Sequence, residues 1–324
     1  MIEVKNLVKK YGDNVAVNGI SFKLEPGRIY GFLGPNGAGK STTMNIMTGY
    51  IGATSGDVII NGHNILEEPI EAKKCIGYLP EIPPVYPDMT VNEYLHFAAK
   101  IKQIPKKDIE ENVVKARRLA RIDNVQNKLI GNLSKGYKQR VGVAYAILGF
   151  PEIIILDEPT VGLDPKQIIE IRETIRELAH EHTVILSSHI LTEISEVCDY
   201  VLIINHGEIV ISDTMDNISK FMADTGKIEI RFEDDPAALE KAIDGIANAK
   251  VLDYKKSGNT GIAVIGYDDT DEGAESIFYA LAANKLKVTG FSKISKTLED
   301  VFIELTDSAD EIDKAAKEIK EVEE

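Results

Sequence analysis

Gly34-Pro35-Asn36-Gly37-Ala38-Gly39-Lys40-Ser41-Thr42 decides the fold of this chain. The stretch fits G-x-x-x-x-G-K-[ST], a phosphate-binding loop, and its flanks fit as well. The apolar run Ile29-Tyr30-Gly31-Phe32-Leu33 precedes it as a short buried strand, and Thr43-Met44-Asn45-Ile46-Met47 starts a helix after it. Glycines let the backbone bend tightly, so that successive N–H groups from Gly34 to Thr42 converge on phosphate oxygens. The helix N-terminus adds its partial positive charge at the same spot. In such a loop Lys40 reaches the β- and γ-phosphates and Ser41 gives its hydroxyl to Mg²⁺. A glycine-rich turn that binds nothing needs no Lys-Ser pair between strand and helix. The chain is therefore expected to bind a nucleoside triphosphate.

With 324 residues, the chain has room for two domains and an ample core. A formal charge of −15 argues against a sequence-independent grip on nucleic acid. The basic residues between Lys100 and Arg121 alternate with acids and read as a solvated amphipathic helical face. No apolar run approaches bilayer length and no signal segment is visible, so a cytoplasmic protein is expected, needing a partner chain for any work on a membrane. Cys75 and Cys198 lie among apolar residues without metal-ligand spacing and read as buried free thiols. The histidines are scattered and suggest no structural metal site.

Along the chain, Ile2 to Phe22 reads as strands about the turn at Tyr11-Gly12-Asp13. Tyr11 can stack on a nucleotide base or simply pack. Cys75 to Pro80 is a strand ending at Glu81, and Ile82-Pro83-Pro84-Val85-Tyr86-Pro87 is a stiff, exposed loop, because proline lacks the donor N–H. Thr90-Val91-Asn92-Glu93 forms a capping box that opens a helical insert. Ser134 in Leu133-Ser134-Lys135-Gly136-Tyr137 caps a further helix, leaving free N–H groups at its start. The apolar run Ile153 to Leu156 reads as a buried parallel strand delivering Asp157 and Glu158. Open α/β sheets bind ligands at such strand ends. There Asp157 holds Mg²⁺, and Glu158 orients or deprotonates the attacking water. Thr183 to Ser188 repeats the design and delivers His189, placed to reach a γ-phosphate. Val201 to Ile204 and Glu208 to Ile211 close the sheet as a hairpin.

Taken in order, these motifs resemble the ATP-binding cassette ATPases over roughly the first two-thirds of the chain. The ordered set is Tyr11, the phosphate loop, Leu79-Pro80-Glu81, the helical insert, Leu133 to Gly136, Ile153 to Glu158, Gly162-Leu163-Asp164 and His189. The resemblance implies a P-loop α/β cassette with its helical insert at about 88–150, binding ATP and Mg²⁺. It implies two copies, or a paired cassette, sandwiching nucleotide head to tail. In that arrangement Ser134 and Gly136 of one copy cap the γ-phosphate held by Lys40 of the other. Glu158 is the implied general base, His189 a γ-phosphate contact, Asp164 a link across the pair and Tyr11 the adenine platform. Two departures stand out. Leu-Ser-Lys-Gly-Tyr replaces the usual Leu-Ser-Gly-Gly-Gln, and Glu81 replaces the usual Mg²⁺-touching Gln; a carboxylate also ligates Mg²⁺. Both look like the exporter branch for drugs, lipids, polysaccharides or peptides. Its ATPase is a chain separate from the integral membrane permease and sits at the inner face of the cell membrane. The Ile82–Pro87 loop would be the docking point.

Residues 1–222 make up the expected cassette. Residues 223–306 read as a small ferredoxin-like α+β domain in the order βαββαβ, closing on an amphipathic helix, Thr297 to Leu305, and 307–324 as an acidic tail. A soluble cassette ATPase of translation or DNA repair is the alternative. The short insert, the single cassette and the acidic charge oppose it, and no nucleic-acid partner is expected. A third reading, an ATP-sensing module with weak catalysis, is opposed by the presence of Lys40, Asp157, Glu158 and His189 together.

Overall fold

The computed structural model of the chain describes residues 1–218, 226–233, 235–246, 249–257, 260–267 and 271–294. The chain divides into two units, Met1–Met215 and Asp216–Glu324. The expected boundary at 222/223 lies outside the described residues, as do the segment 297–305 and the tail 307–324.

The first unit begins with strands β1 (Ile2–Tyr11), β2 (Asn14–Leu24) and β3 (Ile29–Leu33), then helix α1 (Lys40–Met47). Next come β4 (Ser55–Ile60), β5 (His63–Asn64), α2 (Pro69–Lys74) and β6 (Ile76–Leu79). The helical insert holds α3 (Val91–Ile101), α4 (Ile109–Leu119) and α5 (Lys135–Ile147). The chain returns through β7 (Ile153–Leu156), α6 (Pro165–Ala179), β8 (Thr183–Ser188), α7 (Leu191–Val197), β9 (Tyr200–Asn205) and β10 (Glu208–Thr214).

Two sheets form the unit, one ordered β2-β1-β4-β5 and one ordered β10-β9-β3-β8-β7-β6. In the second, β9, β3, β8, β7 and β6 run parallel and only β10 turns back, as the hairpin reading requires. Every residue of β3, β7 and β8 is buried. That is why these strands read as unbroken apolar runs: both faces are covered. Phe32, Ile155 and Leu202 share one core with Met44 and Met47 of α1 and with Ile2, Leu7 and Leu24 of the other sheet. Pairing places Leu33 beside Ser188, Leu156 beside Leu186, and Leu79 beside Leu156. The carboxyl ends of four strands thus open on one edge.

The second unit is a four-stranded antiparallel sheet. Its strands are β11 (Lys227–Phe232), β12 (Lys250–Ser257), β13 (Thr260–Gly266) and β14 (Val288–Lys293), ordered β12-β13-β11-β14. Helices α8 (Pro236–Ile243) and α9 (Asp271–Ala283) supply Leu239, Ile243, Ile277 and Leu281 to a core against Ile228, Ile230 and Phe232. Element order and strand order are those of the ferredoxin-like arrangement.

The capping box forms as expected: Thr90 Oγ1 accepts from the Glu93 N–H, and Glu93 Oε2 accepts from the Thr90 N–H at 2.8 Å. Two expectations need correction. Cys198 is buried, but Cys75 is only half-buried, because it lies at the end of α2 beside an edge strand. The basic stretch is not solvated throughout. Arg117 is buried, donating to Asn92 and, at 3.2 Å, to Asp123. Lys102 folds back onto the end of α5, its Nζ donating to the carbonyls of Tyr145, Ala146 and Leu148 at 2.7, 3.0 and 3.1 Å. Carbonyls at a helix end lack their full set of intrahelical partners. Helical periodicity marks which positions face inward but not which long cationic stems curl back.

Burial pushes the Lys102 ammonium down to about 7, whereas a lysine in the unfolded chain titrates near ~10.4. Between those values the unfolded chain binds more protons, so the stability this site contributes rises as pH rises through that window. Melting temperatures at pH 7 and pH 9 for the parent and a Lys102→Met variant test this. The parent should gain on the variant at the higher pH.

Candidate functional site

Gly34 follows the carboxyl end of β3, and a Cβ there would fall 2.2 Å from the Ile204 carbonyl on β9. Gly39, at φ +106°, turns the chain into α1, and a Cβ there would fall 2.5 Å from the Ala16 carbonyl. Both glycines permit a backbone approach that any side chain blocks. The loop leaves a cavity of about 300 Å³ lined in part by Gly37, Lys40, Ser41, Glu81, Glu158 and His189. The structure therefore brings the phosphate-loop lysine and serine together with the strand-end acid and histidine.

Lys40 is buried; its Nζ donates to the Gly34 carbonyl at 2.7 Å and the Pro35 carbonyl at 3.2 Å, and lies 3.7 Å from Glu158 Oε1. Burial holds this ammonium below the usual lysine range, while Glu158 and Asp157 pull in the other direction. Ser41 Oγ donates to Asp157 Oδ1 at 3.2 Å. Hydroxyl and carboxylate oxygens suit a hard cation such as Mg²⁺. Glu81 follows β6, whose Leu79 carbonyl accepts from the Asp157 N–H at 2.8 Å, and this places Glu81 at the same edge.

Glu158 is 7 % exposed, and its Oε2 lies 3.0 Å from His189 Nδ1. Its backbone sits at φ +47°, in the left-handed region. That conformation costs a non-glycine residue roughly 1–2 kcal/mol and persists only where surroundings enforce it. Here its N–H donates to Ser187 Oγ at 2.9 Å. Sequence reasoning assigned no role to Ser187 or to Glu193. Glu193 is buried on α7 and accepts from the hydroxyls of Thr160, at 2.5 Å, and Ser188, at 2.9 Å. It joins the loop after Glu158 to the strand end before His189. No local motif marks that glutamate.

The remaining expected residues lie away from the cavity of their own chain. Tyr11 is exposed at the end of β1, with Lys9 Nζ 5.1 Å from its ring centroid. Ser134 caps α5, its Oγ accepting from the Tyr137 N–H at 3.4 Å. Asp164 caps α6 by accepting from the Gln167 N–H at 2.9 Å. The departures from the usual signature have partners of their own. A Cβ at Gly162 would fall 2.2 Å from Lys135 Nζ, so this lysine lies directly on the loop between Glu158 and Asp164. The Tyr137 hydroxyl accepts from Asn124 Nδ2 at 2.8 Å, tying the start of α5 to the rest of the insert.

A lysine-bearing phosphate loop facing two strand-end carboxylates is the core of a P-loop nucleoside triphosphatase, and the helices between β6 and β7 place it among the ATP-binding cassettes. The family pattern described as "ABC transporter" matches residues 17–161. The bacitracin transport ATP-binding protein BcrA of Bacillus licheniformis is 35 % identical over 310 residues, covering 94 % of this chain and 97 % of that protein. The lantibiotic transport ATP-binding protein SrtF of Streptococcus pyogenes is 33 % identical over 217 residues, 67 % of this chain and 92 % of its own. A solved structure of an ATP-binding subunit of an ABC transporter superposes with a TM-score of 0.62 at 30 % identity, covering 68 % of this chain and 92 % of that one. The chain belongs to the ABC transporter ATP-binding proteins. It is an ATPase, the motor subunit of a membrane transporter.

Replacing Glu158 with Gln keeps the side chain's size and its contact with His189 but removes the carboxylate charge. Steady-state ATP turnover should fall by about 100-fold or more while fluorescent ATP analogues still bind. Unchanged turnover would remove Glu158 from the chemistry.

Proposed function

We propose that this chain hydrolyses ATP with Mg²⁺ to drive export through a separate integral membrane permease, working as a head-to-tail pair of cassettes. The observation that carries this reading is the meeting of Lys40, Ser41, Glu158 and His189 at one cavity. Ser41 and Asp157 would hold Mg²⁺, with Glu81 beside them, and the bound ion would supply charge neutralisation for the phosphates. Residues 34–42 and Lys40 bind and orient the phosphates through backbone N–H groups and the ammonium. Glu158 takes the proton of the attacking water, and His189, 3.0 Å away, holds that carboxylate toward the γ-phosphate. Tyr11 offers an exposed ring to the adenine.

Ser134, Gly136 and Asp164 have no part in the cavity of their own chain, which supports a role in the opposite site of a pair. Ser134 with the open start of α5 caps the partner's γ-phosphate, and Asp164 links the two copies. Mixing variants tests this. A chain carrying Lys40→Ala and one carrying Ser134→Arg should each be inactive alone. Mixed pairs rebuild one complete site, so activity should return to roughly a quarter of the parent, from one working site in the half of pairs that are mixed. No recovery on mixing would exclude composite sites.

Docking to the permease is placed at the 82–87 loop. This loop borders a groove of about 950 Å³ lined in part by Tyr50, Ile82, Pro84, Lys102 and Tyr145. Tyr50 and Ile82 are 78 % and 81 % exposed there, apolar surface that a membrane partner would cover. No helix among the described residues is long and apolar enough to cross a membrane. Work at the inner membrane face, held there by the permease, is part of this proposal. The named relatives are ATP-binding proteins of bacitracin and lantibiotic transport, and the cargo proposed here is an antimicrobial peptide of that chemical kind. Affinity purification of the full chain from detergent-solubilised membranes should bring down a multi-spanning protein in near-equal amount. Ile82→Asp should lose it while retaining ATP binding. Recovery with ribosomal or DNA-bound partners would favour the soluble alternative.

A further inference from the structure

Ser187 is the last residue but one of β8, its side chain fully buried one position short of the strand end where sequence patterning looks for chemistry. Its Oγ accepts from the Glu158 N–H at 2.9 Å and lies 2.6 Å from Asp157 Oδ1. The proton of this hydroxyl has only one place to go. A peptide N–H can only donate and a carboxylate only accept, so the Ser187 hydroxyl must donate to Asp157. One side chain from β8 thereby fixes the backbone of the first reacting carboxylate and the carboxyl plane of the second. Asp157 Oδ1 also accepts from Ser41, so the chain of contacts runs from Glu158 through Ser187 and Asp157 to the phosphate loop.

We propose that Ser187 is a positioning residue for ATP hydrolysis, holding Glu158 in its left-handed backbone conformation and Asp157 in its orientation toward Ser41. The proposal rests on the roles assigned above to Asp157 and Glu158 and adds a residue to neither binding nor proton transfer. Its physical basis is the register of β7 and β8. Leu156, the last residue of β7, pairs with Leu186, so Asp157 just past β7 comes beside Ser187 of β8. An apolar residue at position 187 would leave the Glu158 N–H without its partner in a buried place and free the Asp157 carboxylate to turn. Carboxylates that ligate a cation are commonly held by such outer hydrogen bonds, whose loss weakens metal affinity or activity by about 10–100-fold.

The test uses the purified full chain with Ser187→Ala and Ser187→Thr, the second keeping the hydroxyl. In Ser187→Ala, kcat should fall by about tenfold or more, and the Mg²⁺ concentration for half-maximal rate should rise several-fold. Binding of a fluorescent ATP analogue should change by less than about threefold, because the phosphate loop is untouched. Ser187→Thr should recover much of the rate and of the Mg²⁺ response. An Ala variant with parent-like kcat and Mg²⁺ dependence would overturn the proposal. So would a rate loss matched by equal losses of nucleotide binding and melting temperature, since that marks a purely structural role. If the parent rate ignored Mg²⁺, or if Glu158→Gln left turnover intact, the underlying assignment of the carboxylates would fail instead. The Ala-to-Thr comparison of kcat would still report on Ser187.

Discussion

Parallel pairing of β3 with β8 and of β8 with β7 is the constraint on which the rest of the molecule depends. Parallel strands of one sheet all present their carboxyl ends on the same edge. Residue 33 pairs with 188, and 156 with 186 two positions earlier, so segments far apart in the chain end at one edge. The phosphate loop, Asp157-Glu158 and Ser188-His189 are what follow those strand ends. The site is assembled by strand register first and by side chains second. Full burial of the three strands makes slippage costly, because one residue of shift would carry polar strand-end residues into the core.

Within that edge the electrostatics are balanced around a buried cation. Lys40 loses hydration but gains two carbonyls and two nearby carboxylates. A lysine left alone at this depth would lose its proton, and two acids left alone would repel each other. Each charge is tolerable because of the others. Glu158 pays for its position in backbone strain, which its N–H bond to Ser187 and the link between Thr160 and Ser188 through Glu193 help to hold.

The two unusual residues of the Leu133–Tyr137 signature make structural sense. Where a glycine is usual, Lys135 lays its ammonium against Gly162; where a glutamine is usual, Tyr137 binds Asn124 of the insert. Gln167 crosses the same gap, since a Cβ on Gly136 would meet its amide at 2.5 Å. The start of α5 is thus tied to the loop that follows Glu158 and to the insert. The α5–α6 contact is reinforced by the buried Arg140, which pairs with Glu170.

Much of this was legible in the chain because local chemistry repeats it. The phosphate loop announces itself through glycines whose backbone must approach a neighbouring strand. Buried parallel strands announce themselves through unbroken apolar runs, and Thr90 with Glu93 announces a helix start. Even the ferredoxin-like order of the second unit followed from the spacing of alternating and helical segments. What the chain could not reveal depends on which side chains meet from distant segments. Ser187 looks like any small residue at a strand end until β7 registers against β8 and sets it between Asp157 and the Glu158 N–H. Glu193 looks like an exposed helical acid until α7 turns it toward Thr160 and Ser188. Lys102 looks solvated until its long stem is seen to cap α5. Local patterns record what each segment needs for itself, whereas hydrogen bonds between segments exist only once strand register and helix packing have brought their partners together.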